Sequence, residues 1–269
     1  MVRNIDLSFI IPTHNENKLL DNSLSLIKEI IINEFPQIKV AIVITSSGSL
    51  YPNISQYICN NQNLKIFYRK IHFSNFWCAN VNNSLNFLNS MFKSNRIILM
   101  NDDTILDYQN VKSFISSFLN SNKDILVGKV HDRKNNLIFG ARLRKGFLNH
   151  KFILSQDCSC FFDTFNANFV GLSKKVLLKI NGFSKFSHAF GDYDFGLRAI
   201  KNGFTITQFN DEIGYTNESH TDRSIKFKSH IKKGIGRSNF KDFKLFYGLH
   251  FSLFSYSILL IYFKIKTWI

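Results

Sequence analysis

Two short acidic stretches hold residue types that could run chemistry. In the first, Asn101-Asp102-Asp103 follows the apolar run Ile97-Ile98-Leu99-Met100, so two adjacent carboxylates and an amide stand at the end of a buried strand. Repulsion and desolvation make clustered acids costly unless something compensates them. A hard divalent cation, Mn²⁺ or Mg²⁺, suits that task, because it takes one or two protein carboxylates and leaves the rest of its shell to substrate phosphates. The same triplet could equally be a solvated turn that caps the next helix. In the second stretch, Gly191-Asp192-Tyr193-Asp194 opens a helical pattern running through Arg198, where free helix N–H groups and the dipole favour an ionised Asp192. Such a carboxylate is either an ordinary N-cap or a general base that takes the proton of an attacking hydroxyl while a metal steadies a departing diphosphate.

The elements that must position these residues follow from apolar spacing. Leu7 to Ile11 reads as a buried strand ending at Pro12, and Glu16 to Ile32 as an amphipathic helix with Leu19, Leu20, Leu24, Ile27, Ile30 and Ile31 on one face. Val40 to Ile44 and Leu64 to Tyr68 read as further strands, Ala79 to Met91 as a helix, and Arg96 to Met100 as a third buried strand. Strands alternating with helices predict an α/β fold with a mostly parallel sheet. Ligands of open sheets bind outside the carboxyl ends of the strands, so the loops after Ile11, Ile44 and Met100 should share one crevice. From about Ile125 to Phe162 the pattern changes to short strands, with turn signals at Asn135-Asn136 and Gly146. Short helices over Ser173 to Ile180 and Tyr193 to Lys201 should close at Asn181-Gly182 and Asn202-Gly203.

Taken together, these segments resemble the family-2 glycosyltransferases of the GT-A fold, and especially a bacterial rhamnosyltransferase-like branch. Phe9-Ile10-Ile11-Pro12-Thr13-His14-Asn15 looks like the opening strand and nucleotide loop, Phe76-Trp77 through Asn82 like the segment at the donor-site helix, and Asn101-Asp102-Asp103 like the D-x-D site. Asn166 to Gly171, Asn181-Gly182-Phe183 and His188 to Arg198 resemble the acceptor half in the same order, so the likeness covers roughly residues 5 to 220. It implies that Pro12, Thr13, Asn15, Glu16, Ser46 and Asn82 line the nucleotide-sugar pocket, that Asn101 and Asp102 support ribose and diphosphate, and that Asp103 binds the metal. By the same likeness Asp192 is the base, Asp194 its alternate or an acceptor ligand, and His220 a late metal or diphosphate ligand. Trp77 could stack on a base or sugar face, or pack in the core. The chain departs from the family at Ser46-Ser47-Gly48-Ser49, where a carboxylate usually meets the nucleobase, and at Asn101, which replaces the first Asp of D-x-D. A UDP- or dTDP-sugar donor, a glycan or lipid-linked acceptor and direct inverting displacement are the activity implied, with a sugar nucleotidyltransferase or an inactive relative as the alternatives.

Charge divides the chain into a catalytic domain over residues 1 to 222 and a tail over 223 to 269, with the donor half reaching about residue 104. Of 34 basic and 19 acidic residues, ten and one fall between Arg223 and Ile269, so the tail carries +9 of the net +15. Leu245 to Phe263 then runs 19 residues without Asp, Glu, Lys or Arg. A basic collar around an apolar segment suits an anionic lipid surface, so a helix lying in the membrane interface is expected, against a helix docked on the catalytic domain or on a second subunit. No zinc, helix-turn-helix or aromatic-basic RNA signature accompanies the charge, which argues against a nucleic-acid partner. The cysteines Cys59, Cys78, Cys158 and Cys160 form no zinc or disulfide spacing, and no secretory signal is read at Met1 to Ile11. A cytoplasmic enzyme, peripheral at the inner face of the inner membrane, is the expectation.

Overall fold

The computed structural model describes residues 3–14, 18–48, 62–72, 77–145, 151–158, 161–187, 190–217, 236–251 and 257. Its first half alternates β1 (Arg3–Thr13), α1 (Lys18–Glu34), β2 (Val40–Ser46), β3 (Leu64–Lys70), α2 (Trp77–Met91) and β4 (Phe92–Met100). Then come β5 (Thr104–Leu106), α3 (Tyr108–Asn120), β6 (Ile125–Asp132), β7 (Leu137–Phe139), β8 (Ala141–Lys145) and β9 (Lys151–Leu154). The chain continues through β10 (Thr164–Phe165), β11 (Phe169–Ser173), α4 (Lys174–Ile180), α5 (Gly191–Lys201), β12 (Ile206–Thr216) and α6 (Gly236–His250).

Nine strands form the main sheet, in the order β3-β2-β1-β4-β11-β6-β12-β5 with β7 beside β6, while β10-β8-β9 form a small antiparallel sheet. Strands β1 to β4, β6 and β12 run one way, and β11, β5 and β7 oppose them. The sheet is therefore mostly parallel, with one reversed strand, β11, wedged between β4 and β6.

Both faces are covered, which is why the central strands read as unbroken apolar runs. Leu7, Phe9 and Ile11 of β1, Ile42 and Ile44 of β2, and Ile98 and Met100 of β4 pack with Leu24 and Ile27 of α1 and with Phe114 and Phe118 of α3. The alternate positions Ile10, Val43, Ile97 and Leu99 face the other way, onto Val81 and Leu85 of α2, Val176 of α4 and Phe195 of α5. A period of two on each strand thus sorts side chains between two cores.

Strand β1 does not stop at Pro12. It continues to Thr13, with Pro12 opposite Thr45 of β2, whereas pairing with β4 ends at Ile10 opposite Leu99. Pro12 sits where only one neighbouring strand remains, so its missing N–H is tolerated. The acidic triplet does not cap a helix either: the cap of α3 is Asp107, which accepts from Asn110 N at 2.9 Å, and β5 intervenes. Helix α4 closes as the sequence predicts, on consecutive left-handed residues Asn181 (φ 58°) and Gly182 (φ 79°).

Helix α6 lies against α5. Phe246 is 1% exposed and stacks on Phe190 at 4.7 Å, and Asp242 accepts from Ser187 N at 2.9 Å. Gly236–His250 is thus a docked helix, and most of Leu245 to Phe263, the segment expected at the membrane interface, lies outside the described residues. Among the described residues no helix is long and apolar enough to cross a membrane.

Candidate active site

The carboxyl ends of β1, β2 and β4 meet as the parallel order requires. Thr13 Oγ1 donates to Asp102 Oδ2 at 2.5 Å, and Ser47 N donates to Thr13 O at 3.2 Å. Asn80, one turn into α2, spans the same loops, donating to Thr13 O at 3.5 Å and Ser47 Oγ at 3.3 Å, while His14 Nδ1 lies 3.0 Å from Ser47 Oγ. Burial pushes the Asp102 carboxyl up, and the Thr13 hydroxyl, a backbone N–H and the nearby His14 only partly oppose it. A half-buried carboxylate held above its ordinary range would ionise more readily beside a cation, so Asp102 and Asp103 fit a divalent metal as two hard oxygen ligands. Among the described residues no set of three His, Cys, Asp or Glu surrounds one point. A metal here would need substrate oxygens to complete its shell.

Trp77 opens α2 with its indole N–H donating to Asn101 Oδ1 at 3.0 Å and its ring edge-on to Phe183, centroids 5.2 Å apart. Trp77 and Asn101 therefore stand together at the strand ends. Asn101 N in turn donates to Asn168 O at 2.9 Å. One residue before Asn168, Ala167 N donates to Asp192 Oδ2 at 3.3 Å, and the Asn166 side-chain amide donates to the same oxygen at 3.3 Å. The three-residue segment Asn166-Ala167-Asn168 thus ties Asp192 to the acidic turn, across 90 positions of sequence between Asp102 and Asp192.

Asp192 lies in the first turn of α5, and its Oδ1 accepts from Tyr193 N at 2.9 Å. Arg142 organises the approach by donating to Asn166 Oδ1 at 2.6 Å and Phe152 O at 3.0 Å. Burial raises the Asp192 carboxyl above the ordinary aspartate range, against the lowering pull of Tyr193 N, Asn166, Ala167 N and Arg142. Entry into α5 is tight. Phe190 holds a left-handed φ of 67°, and a Cβ on Gly191 would come within 2.1 Å of Cys78 Sγ. Burial first, and the Asp192 charge next, push the Cys78 thiol up to about 12.

Two of the residues read from the sequence occupy other places, and a third, at the end of β2, is engaged through its backbone. Asp194 is fully buried, with Oδ2 accepting from Ser184 Oγ at 2.6 Å and Arg198 Nε at 2.8 Å, and Oδ1 lying 2.8 Å from His250 Nε2. It anchors α5 and cannot meet an acceptor. Asn82 closes a two-bond ring with the Phe183 backbone, donating to Phe183 O at 2.7 Å and accepting from Phe183 N at 2.9 Å, so it ties α2 to the loop after α4. Ser46 is 2% exposed and continues the β2 ladder with its carbonyl, which accepts from Ile71 N at 2.9 Å. Asn15, Glu16 and His220 lie outside the described residues, as do Phe76, His188, Cys59 and Cys160. Asn80, Ser47 and Asn168 fall inside the motif segments, but the resemblance gives none of them a role of its own.

Set against known proteins, residues 8–177 match the family model described as glycosyl transferase family 2. The chain belongs to glycosyl transferase family 2. Among solved structures, the mannosyltransferase PcManGT from Pyrobaculum calidifontis, in complex with GDP-Man and Mn²⁺, superposes with a TM-score of 0.59 at 12% identity, over 81% of this chain and 58% of that one. TarS residues 1–349 from S. aureus gives 0.55 at 15% identity over 79% and 60%, and the same protein in complex with UDP-GlcNAc gives 0.53 at 15% over 82% and 61%. These likenesses establish the GT-A fold of the glycosyltransferase, which spans about three-fifths of the length of the solved chains it matches. No curated protein matches the chain.

Proposed function

We propose that the glycosyltransferase moves a sugar from a nucleoside-diphosphate sugar to an acceptor hydroxyl by direct displacement, with Asp192 as the general base. The observation that carries the reading is the Asn166-Ala167-Asn168 segment, which sets a carboxylate of raised pKa beside the acidic turn at the strand ends. The acceptor oxygen bonds to the anomeric carbon as the bond to the diphosphate oxygen breaks, the hydroxyl proton passes to Asp192, and the anomeric configuration inverts. Asp103 and Asp102 would hold Mn²⁺ or Mg²⁺, which when bound neutralises the charge growing on the departing diphosphate. Asn101, fixed by Trp77, and Thr13 and Ser47, bridged by Asn80, would line the donor side. The neighbours bound to GDP-Man and to UDP-GlcNAc carry different bases, so the seryl end of β2 leaves the base to be chosen by experiment. A glycan or lipid-linked acceptor, surface-polysaccharide synthesis and peripheral attachment at the cytoplasmic face of a membrane complete the proposal, supported by the basic tail.

Thermal unfolding against UDP, dTDP, GDP and CDP, each with and without Mn²⁺, tests the donor site, because a ligand bound only by the native state raises Tm. We expect one nucleotide to stabilise in the presence of metal, and Asp103→Ala to abolish that shift with the fold intact. A chain that no nucleotide stabilises would instead be an inactive member of the family.

A further inference from the structure

On the acceptor side of the site, three adjacent strands end on the same face. Register along β4 and β11 pairs Phe169 with Met100, so Asn168 stands opposite Asn101. Along β11 and β6, Val170 pairs with Val127, and the same antiparallel register carried two residues further sets Lys129 beside Asn168. Leu99, Val170 and Val127 all pack in the core shared with α2, α4 and α5, so Asn101, Asn168 and Lys129, each two positions away, share that face. The opposite face holds Gly128, where a Cβ would strike Ile213.

The chemistry of this row is unusual for an interior. Lys129 is 8% exposed, and among the described residues no carboxylate forms an ion pair with it. Asn168, 3% exposed, has a side-chain N–H₂ with no hydrogen-bond partner among them. His131, 2% exposed, places Nε2 at 3.3 Å from Glu212 Oε1, and burial lowers its pKa, so its unmatched Nδ1 is an acceptor and not a donor. The nearest acid in sequence, Asp132, is committed to the turn, accepting from Lys134 N and Asn136 N at 2.9 Å each. A buried amide donor with no acceptor carries a desolvation cost unless a ligand completes it, and the largely enclosed Lys129 adds a positive charge beside it.

We propose that Lys129 and Asn168 form an anion subsite that takes a phosphate of the acceptor and so presents its hydroxyl to Asp192. This rests on the glycosyltransferase reading above, and it names the acceptor class as one bearing a phosphate close to the reactive hydroxyl. Lys129 lies two strands from β4, roughly 10 Å at the usual strand spacing, so the acceptor phosphate and the donor diphosphate occupy separate places.

Inorganic phosphate is the probe, titrated without metal at constant ionic strength and read as a Tm shift, with the stabilising nucleotide plus Mn²⁺ as a parallel arm. The wild-type chain should be stabilised by phosphate, Lys129→Met should weaken that response by roughly tenfold, as loss of one charge-assisted bond predicts, and its nucleotide shift should persist. Asn168→Asp, which sets a negative charge against the ligand, should abolish the phosphate response. Absence of a phosphate shift in the wild type alongside an intact nucleotide shift overturns the subsite alone. Persistence of the phosphate shift in Lys129→Met does the same. If saturating nucleotide removes the phosphate response, the pocket belongs to the donor diphosphate and the acceptor assignment is wrong. A phosphate shift that Lys129→Met removes, in a chain no nucleotide stabilises, would uphold the subsite and sink the donor reading.

Discussion

His250, on the last turn of α6, sets its Nε2 2.8 Å from Asp194 Oδ1, two residues along α5 from Asp192. Burial alone would push the Asp194 carboxyl up, but the bonds from His250, Ser184 and Arg198 outweigh it and hold the group below the ordinary aspartate range. A depressed folded pKa contributes stability that is complete above about pH 4 and is lost as pH falls through the lower folded value. We expect His250→Ala to cost about 1–3 kcal/mol, the usual result of removing one partner of a buried charged group. Urea unfolding at neutral pH measures it; an unchanged midpoint would remove α6 from the support of α5.

Asp192 shows the opposite sign. Burial raises its carboxyl, so its ionised form penalises folding above the raised value, and the penalty disappears below the ordinary aspartate pKa. Asp192→Asn should therefore unfold at the same or a higher temperature than the parent while turnover falls by about 10²–10⁴-fold. The acid limb of kcat/KM in the parent should lie above about pH 4. A variant that keeps its turnover would move the base elsewhere.

Asn82 separates an anchor from a ligand. Removing its amide leaves the Phe183 N–H and carbonyl without their partner, so Asn82→Ala should lower stability by about 1–3 kcal/mol. The KM for the donor sugar should stay within about twofold, since about 0.4 kcal/mol is the most a distant anchor is expected to pass on. A selective rise in KM at unchanged stability would return Asn82 to the pocket.

Leu245 and Leu249, 40% and 54% exposed and one turn apart on α6, face away from α5 beside exposed Lys244. If the proposed membrane attachment uses this ridge, the full chain should co-sediment with vesicles containing anionic lipid, and less so at high salt. Leu245→Glu with Leu249→Glu should reduce the bound fraction several-fold. Equal binding to neutral vesicles, or none to either, would contradict the peripheral attachment.

The elements easiest to see in the sequence were those whose two faces are both buried. Val40 to Ile44 and Ile97 to Met100 are continuous apolar runs for that reason. Strand β12 is hidden in the sequence, because Asn210-Asp211-Glu212 interrupts it like a loop, yet it pairs with β6 across register shifts between Gln208 and Gly214 and with β5 from Gly214 onward. The motif places Asn82 in the pocket, but its amide is bonded to the Phe183 backbone, and residues two apart on a helix point about 200° apart. Asn80 faces the strand ends, so Asn82 must face away. The raised Asp192 carboxyl and the buried Lys129 depend on neighbours brought in by β11, a relation between distant segments that local spacing does not encode.

The reversal of β11 also bears on how such an enzyme can be recombined. Its one edge is bonded to β4, which ends at the donor side, and its other to β6, which begins the acceptor side. A chimera cut after Met100 would make its two parents share a strand, so the incoming acceptor half must bring a β11 whose length and register fit a foreign β4. A shift of a single residue there would turn Asn168 to the far face and draw Ala167 away from Asp192, and the hybrid would fold with its two half-sites intact and out of step.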